Sequence, residues 1–253
     1  MKIHQILITE NGKLPDINSL PEKTLLSIQS IKNAYEKDCD YKLYSGNELE
    51  EIISENFPES VYFSYKKILP FACKADLARA CLLYLHGGIY FDLHLNLISK
   101  IPLDYLKKWI FCAFRDTWAA NMNTFAVSNS IIYCEERCPI IKKYIDLIVE
   151  NCKNEYYGIQ AISQTGPSVL GRAYNEVVFQ KKINKDVSLI GGLEPLTPGK
   201  LIINNSYVSN EGIIVAIKKE EEDFTKIGIV GTNYYVDFFE KGNFYDRSII
   251  IED

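Results

Sequence analysis

The stretch FACKADLARACLLYLHGGIYFDLHLNLI (71–98) decides the fold. Over 73–86, Ala75, Leu77, Ala78, Ala80, Cys81, Leu82, Leu83, Tyr84 and Leu85 are apolar nearly all the way round. That predicts a buried helix rather than a surface one. Asp76 and Arg79 stand three apart within it and therefore share a face. A buried charge without a partner costs several kcal/mol, so the two must pair or meet a charged ligand; the helix alone leaves both open. Gly87-Gly88 ends the helix, since glycine takes the left-handed conformation of a C-cap. The chain then enters IYFDLHLNLI, where Ile89, Phe91, Leu93, Leu95 and Leu97 alternate with Tyr90, Asp92, His94 and Asn96. A period of two predicts one strand, apolar on one side and carrying an acid, an imidazole and an amide on the other. Residues two apart on a strand face are about 6.5–7 Å apart, so Asp92 and His94 can converge on one metal ion. A half-exposed edge strand shows the same alternation.

Outward from this stretch, strand and helix signals alternate. IHQILI (3–8) is a short apolar strand. Pro21 opens a helix through Glu22 to about Lys37, with Leu25, Leu26, Ile28, Ile31 and Ala34 on its buried side. Tyr41–Tyr44 reads as a second strand, and Gly46–Phe57 as a helix with Leu49, Ile52 and Ile53 inward. Pro58 punctuates, and an amphipathic segment continues to Leu69. This order predicts an α/β sheet, and such sheets bind ligands at the carboxyl ends of their strands, where Asp92 and His94 fall. Pro139–Cys152 reads as a helix, and Gln164–Tyr174 as a turn running into another. From Val187, the runs VSLI, LIINNSYV, GIIVAI and KIGIV add strands to the same domain, and KKEEED (218–223) is a solvated loop.

Composition narrows the classes. The 253 residues are 47% apolar and 24% charged, enough for a sizeable core in one domain. A net charge of -5 with no basic stripe argues against a nucleic-acid partner. No run of 18 apolar residues occurs, and MKIHQILITENGK reads as a first strand rather than a secretory signal. Seven scattered cysteines argue against a disulfide framework and fit a reducing cytoplasm. Cys134 and Cys138 lack two further ligands nearby for zinc and read as buried thiols. The 17 tyrosines suit sugar or base stacking and a β-rich core equally. Neither a phosphate-cradling P-loop nor a serine nucleophile elbow is present.

KADLARACLLYLHGGIYFDLH (74–94) resembles the signature of the sugar-binding, DXD-containing glycosyltransferases. These include family 32, with its capsule, lipopolysaccharide and yeast mannosyl enzymes, and more distantly the clostridial glucosylating toxins. Asp76, Arg79, Gly87-Gly88, Tyr90 and Asp92 match in register. IHQI resembles the family's first strand; Asn123-Thr124-Phe125 and Gln164-Thr165-Gly166-Pro167 resemble two later landmarks. The resemblance covers roughly 3–175. It implies an α/β GT-A fold, Rossmann-like, in a single domain with a β-rich C-terminal part. Residues to about 100 would bind the nucleotide-sugar, and about 101–253 would form the acceptor side. The implied activity is retaining, metal-dependent sugar transfer from a nucleotide-sugar, UDP- before GDP-. The acceptor would be a glycan or lipid-linked glycan of capsule, O-antigen or lipopolysaccharide. Such an enzyme would be cytoplasmic, peripheral at the inner membrane face.

Carried over by position, Asp76 would bind donor-sugar hydroxyls, and Arg79 sugar or diphosphate oxygens. Asp92 would contact the ribose and, with His94, the metal; Tyr90 would lie near the base or ribose, and Asn123 would face the transferred sugar. Ile6, Leu7 and Lys74 complete the expected donor-binding set. The sequence departs from the pattern at Asp-Leu-His, where His94 replaces the second aspartate. Imidazole suits Mn²⁺ or Zn²⁺ better than Mg²⁺ or Ca²⁺, so Mn²⁺ is the expected cofactor. Leu7 stands where family 32 often has an aromatic, no histidine follows His94, and the last tryptophan is Trp118. Two rival readings share the donor site: a catalytically silent sugar-nucleotide or glycan-binding relative, and a protein-glycosylating effector. Metal-dependent donor consumption separates the first, and the acceptor separates the second.

Overall fold

The computed structural model describes residues 1–117, 125–180, 187–195, 205–218 and 234–252. Its first half is the expected alternation: β1 (Lys2–Leu7), α1 (Glu22–Tyr35), β2 (Asp40–Ser45), α2 (Gly46–Asn56), α3 (Glu59–Lys67), α4 (Phe71–His86) and β3 (Gly88–Phe91). β1 pairs in parallel with β2 and β3, so the three strands end at one edge of the sheet. Local chemistry sets the boundaries. Ser45 and Glu48 cap each other reciprocally at the start of α2, and Leu49 and Ile53, four apart, are buried beneath it. In α1, Ile28, Ile31 and Tyr35 face the sheet, whereas Leu26, expected inside, is 49% exposed.

The double glycine is a steric requirement. Gly87 has φ +56°, and a Cβ on it would lie 2.8 Å from the Glu136 nitrogen. Gly88 has φ +94°, and a Cβ there would lie 2.3 Å from the Lys2 carbonyl oxygen. Only glycine lets the chain leave α4 and lie against β1 at once.

Residues 89–98 are not one strand. After β3 the chain turns at Asp92–His94 and resumes as β4 (Leu95–Leu97). The rest comprises α5 (Leu103–Leu106), β5 (Phe111–Arg115), β6 (Val127–Cys134), α6 (Pro139–Lys153), α7 (Pro167–Phe179), β7 (Val187–Pro195), β8 (Asn205–Ser209), β9 (Ile214–Lys218) and α8 (Tyr235–Glu240). All nine strands share one sheet, ordered β2-β1-β3-β6-β5-β7-β8-β9-β4. Five strands therefore separate β3 from β4, about 29 Å in a flat sheet. The four residues from Phe91 to Leu95 reach at most about 14 Å. The sheet must curl until β9 and β4 close back toward β3, and the turn at Asp92 sits at that closure. Periodicity could not show this, because β3 and β4 alternate alike and differ only in partner.

The late β runs join this mixed sheet as expected, giving a β-rich C-terminal part. LIIN (201–204), KIGIV (226–230), and 219–223 of the acidic-basic cluster lie outside the described residues. Cys134 ends β6 and Cys138 caps α6, both buried. No helix among the described residues is long and apolar enough to cross a membrane.

Candidate active site

The buried face of α4 meets the turn after β3 through one arginine. Arg79 Nη2 lies 2.9 Å from Asp76 Oδ1, and its Nη1 lies 2.9 Å from Asp92 Oδ1. Two further N–H groups donate to backbone: Nη1 to Asn129 O at 2.6 Å and Nε to Ala75 O at 3.2 Å. The guanidinium also stacks 4.5 Å from the Tyr90 ring centroid, while the Tyr90 hydroxyl donates to Asp92 Oδ1 at 2.7 Å. Asp76 has further donors of its own. Asn129 Nδ2 donates to its Oδ1 at 2.8 Å, and Thr165 Oγ1 to its Oδ2 at 2.7 Å. Tyr144, on α6, accepts from Asn129 Nδ2 and donates to the Thr165 carbonyl, tying β6 to the turn before α7. Asp76, Arg79, Asn129 and Tyr144 thus all have partners, as burial demands.

One cation faces two carboxylates here, and the two titrate differently. Burial pushes Asp76 up to about 7, against the pull of Arg79, Thr165 and Asn129. Burial would raise Asp92 too, but Arg79 foremost, with His94, Tyr90 and Ser130, holds it below the ordinary carboxylate value. Asp92 is the fixed anion of the cluster, and Arg79 is held firmly protonated.

Asp92 is also fixed through its backbone: its N–H donates to Ser130 O at 2.9 Å, and its carbonyl accepts from Gln5 Nε2 at 3.4 Å. Its Oδ1 serves Arg79 and Tyr90, which leaves Oδ2 toward His94, whose Nδ1 is 3.7 Å away. A carboxylate oxygen and an imidazole nitrogen at that spacing suit neighbouring positions around one divalent ion. No group of three or more His, Cys, Asp or Glu that could hold an ion occurs among the described residues. A metal held here would need further oxygens from a bound ligand, and a diphosphate supplies them.

The expected residues divide clearly. Asp76, Arg79, Tyr90, Asp92 and His94 come together, though Asp92 and His94 meet across a turn rather than along a strand face. Leu7 lines a cavity of about 280 Å³ with Leu14, Ile17, Leu20, Tyr41 and Lys32, at the end of β1. Leu7 shares an apolar cluster with Leu93, next to Asp92. Ile6 belongs instead to the main core on the other sheet face. Lys74 points its ammonium at Tyr65 O (2.7 Å) and Lys66 O (3.2 Å), closing the C-terminal end of α3, and burial lowers it to about 8. Asn123 lies outside the described residues. The amide at the site is Asn129, unforeseen from the sequence along with Ser128, Ser130, Tyr144 and Tyr207. One signal was available: Ser128-Asn129-Ser130 is a polar triplet inside the otherwise apolar run VSNSIIYC.

His4 supports the double-glycine turn from below. Its Nε2 bonds to Gly87 O at 2.9 Å and its Nδ1 to Tyr44 OH at 3.2 Å. Burial lowers it to about 4, so it stays neutral.

Residues 17–162, more than half of the chain, match the capsular polysaccharide synthesis protein family, and the chain belongs to that family. Over 117 residues it is 27% identical to inositol phosphoceramide mannosyltransferase 3 of Schizosaccharomyces pombe (strain 972 / ATCC 24843). That match covers 42% of this chain and 32% of the relative, so the chain spans about a third of that protein's length. Among solved structures, the PaToxG glycosyltransferase superposes with a TM-score of 0.51 at 21% identity, covering 72% of this chain and 71% of that one. That overlap assigns the GT-A fold. The catalytic domain of alpha-toxin from Clostridium novyi overlaps with a TM-score of 0.37 at 12% identity, covering 75% and 65%.

Proposed function

We propose that the chain is a retaining, metal-dependent glycosyltransferase of surface-polysaccharide synthesis. It would move a sugar from a nucleotide-sugar to a glycan or lipid-linked glycan acceptor. The observation that carries this is the buried Asp76–Arg79–Asp92 cluster at the carboxyl edge of the parallel strands, with His94 beside the open oxygen of Asp92. Membership in the capsular polysaccharide synthesis family supports the pathway. The S. pombe relative, named a mannosyltransferase, supports the reaction class. In this reading residues to about 100 bind the donor, about 101–253 form the acceptor side, and the whole 1–253 acts as one GT-A domain.

Asp92 Oδ2 and His94 would hold the ion, with Mn²⁺ expected for an Asp-His pair, and the ion would stabilise the diphosphate's charge as it departs. Asp76 Oδ2 takes one hydrogen bond, from Thr165, and retains capacity to accept another from a donor-sugar hydroxyl. Arg79 holds both carboxylates in place and adds positive charge behind the diphosphate. The bond from the anomeric carbon to the phosphate oxygen breaks while the acceptor oxygen bonds on the same face. The acceptor's proton passes to the departing phosphate oxygen. The cavity beside Leu7 receives the base, with Tyr90 and Asp92 nearer the ribose. Its lining offers the Lys32 and Lys42 ammonium groups and no acidic side chain, which suits uracil, with two carbonyl oxygens and one N–H, better than guanine, with one carbonyl and three N–H groups. UDP is therefore favoured over GDP. A cytoplasmic enzyme, peripheral at the inner membrane face, fits a lipid-linked acceptor.

Thermal denaturation with UDP, GDP and their sugar conjugates, each with and without Mn²⁺, tests the reading. A ligand at a hundred times its Kd adds about 2.7 kcal/mol, several degrees in Tm. An Mn²⁺-dependent shift with a uridine nucleotide, lost in Asp92→Ala, is expected. No shift with any nucleotide would point to the silent relative, with Asp76 and Arg79 a structural ion pair.

A further inference from the structure

Asp92 is held from two sides, and only one belongs to the local sequence motif. Arg79 and Tyr90 engage it from the α4 and β3 side. On the other side stands Ser130, on β6: its carbonyl accepts the Asp92 N–H at 2.9 Å, and its side chain is among the groups that hold the Asp92 carboxyl below its ordinary value. Behind it lies the hydroxyl of Tyr207, on β8, whose ionisation both Ser128 and Ser130 influence. That hydroxyl lies 3.0 Å from Ser128 Oγ, and the Ser130 N–H reaches Ser128 Oγ at 3.4 Å. Tyr207 is 1% exposed, and its ring packs edge-on against Phe114 with centroids 5.3 Å apart. Burial raises its phenol, which stays protonated and able to donate. Tyr207 lies outside residues 17–162 and 115 positions beyond Asp92. The curled sheet alone brings it there, through β9 and β4.

We propose that Tyr207, acting through Ser130 and Ser128, is a positioning residue that orients the Asp92 carboxylate toward a bound divalent ion. This rests on the metal-dependent donor site proposed above. The physical reason is directional. A carboxylate with one oxygen taken by Arg79 and Tyr90 can still swing about its bond to Cβ. A second partner at Ser130, backed by a rigid phenol, restrains that swing and keeps Oδ2 on the side of His94. Partners one step behind metal ligands act in this way, and removing one typically costs 10–100-fold in metal affinity or activity.

The test is Mn²⁺ binding in the presence of UDP, followed by loss of the free-ion electron paramagnetic resonance signal. Wild type, Tyr207→Phe, Ser130→Ala and a control, Tyr133→Phe, would be compared. Tyr207→Phe keeps the ring against Phe114 and removes only the hydroxyl. It is expected to need about tenfold more Mn²⁺ for half-saturation, with Ser130→Ala at least as affected and Tyr133→Phe unchanged. If Tyr207→Phe lowers Tm yet binds Mn²⁺ as tightly as wild type, its role is structural and the inference falls. If Tyr207→Phe fails to fold, Ser130→Ala decides by the same criterion. Wild type that takes up no Mn²⁺ with UDP or GDP removes the donor-site reading itself, a result distinct from selective loss in the variants.

Discussion

The segment α4–turn–β3 and the strand β6 supply opposite walls of the same site, by different means. In the first, Asp76, Arg79, Tyr90 and Asp92 fall within 17 consecutive residues, and one arginine joins them. In the second, Ser128, Asn129 and Ser130 reach the site because β6 runs antiparallel beside β3, with Phe91 opposite Ile131. The first wall is written as a local motif, and the second is a product of topology. Ionic chemistry fills the first wall and neutral hydrogen bonding the second. Removing a charge should therefore cost more than removing an amide or a hydroxyl.

The largest effect is expected from breaking the first wall. Arg79→Met leaves two buried carboxylates without their cation and should cost about 3–5 kcal/mol in urea denaturation. A loss below about 1 kcal/mol would mean that the carboxylates are already solvated or neutral. Asn129→Leu breaks the join between the walls, depriving Asp76 and Tyr144 of a shared donor. About 2–3 kcal/mol should be lost, because a hydrogen bond to a charged group is among the stronger ones.

His4 probes the turn on which the first wall depends. Its folded pKa, about 4, lies below the ordinary 6.5, so between those values the unfolded chain binds a proton that the folded chain does not. Stability is fully present above about pH 6.5 and declines as pH falls toward 4. From pH 7 to pH 5, wild type should lose about 2 kcal/mol more than His4→Gln. Equal losses would show that His4 is protonated when folded. The smallest effect belongs to the second wall alone: Ser128→Ala removes one neutral hydroxyl from the Tyr207 chain, about 1 kcal/mol.

The same contrast explains what the sequence disclosed. Helix α4, its double glycine and β3 were legible, because an apolar run, a three-residue charge spacing and a glycine stop are local signals. The break after Phe91 was not, since Leu95 and Leu97 keep the alternation of β3 while pairing with β9 at the sheet's far end. Leu26 shows the limit of helical patterning: the 14 residues of α1 carry more apolar side chains than its buried face holds. Lys74 has the composition of a phosphate ligand, but its ammonium closes the C-terminal end of α3. Asn129 and Tyr207 announce nothing in sequence, for a buried amide or phenol is recognised only by the partners that the fold delivers.

The central claim is that Asp92, held by both walls, makes donor cleavage depend on a metal. The most direct measurement is release of nucleoside diphosphate from a panel of UDP- and GDP-sugars with Mn²⁺ or with a chelator, in wild type and Asp92→Asn. Release from a UDP-sugar that needs Mn²⁺ and falls about 10²–10³-fold in Asp92→Asn is expected, as for loss of a group that stabilises developing charge. Release that is unchanged by the chelator, or equal in the two proteins, would contradict it.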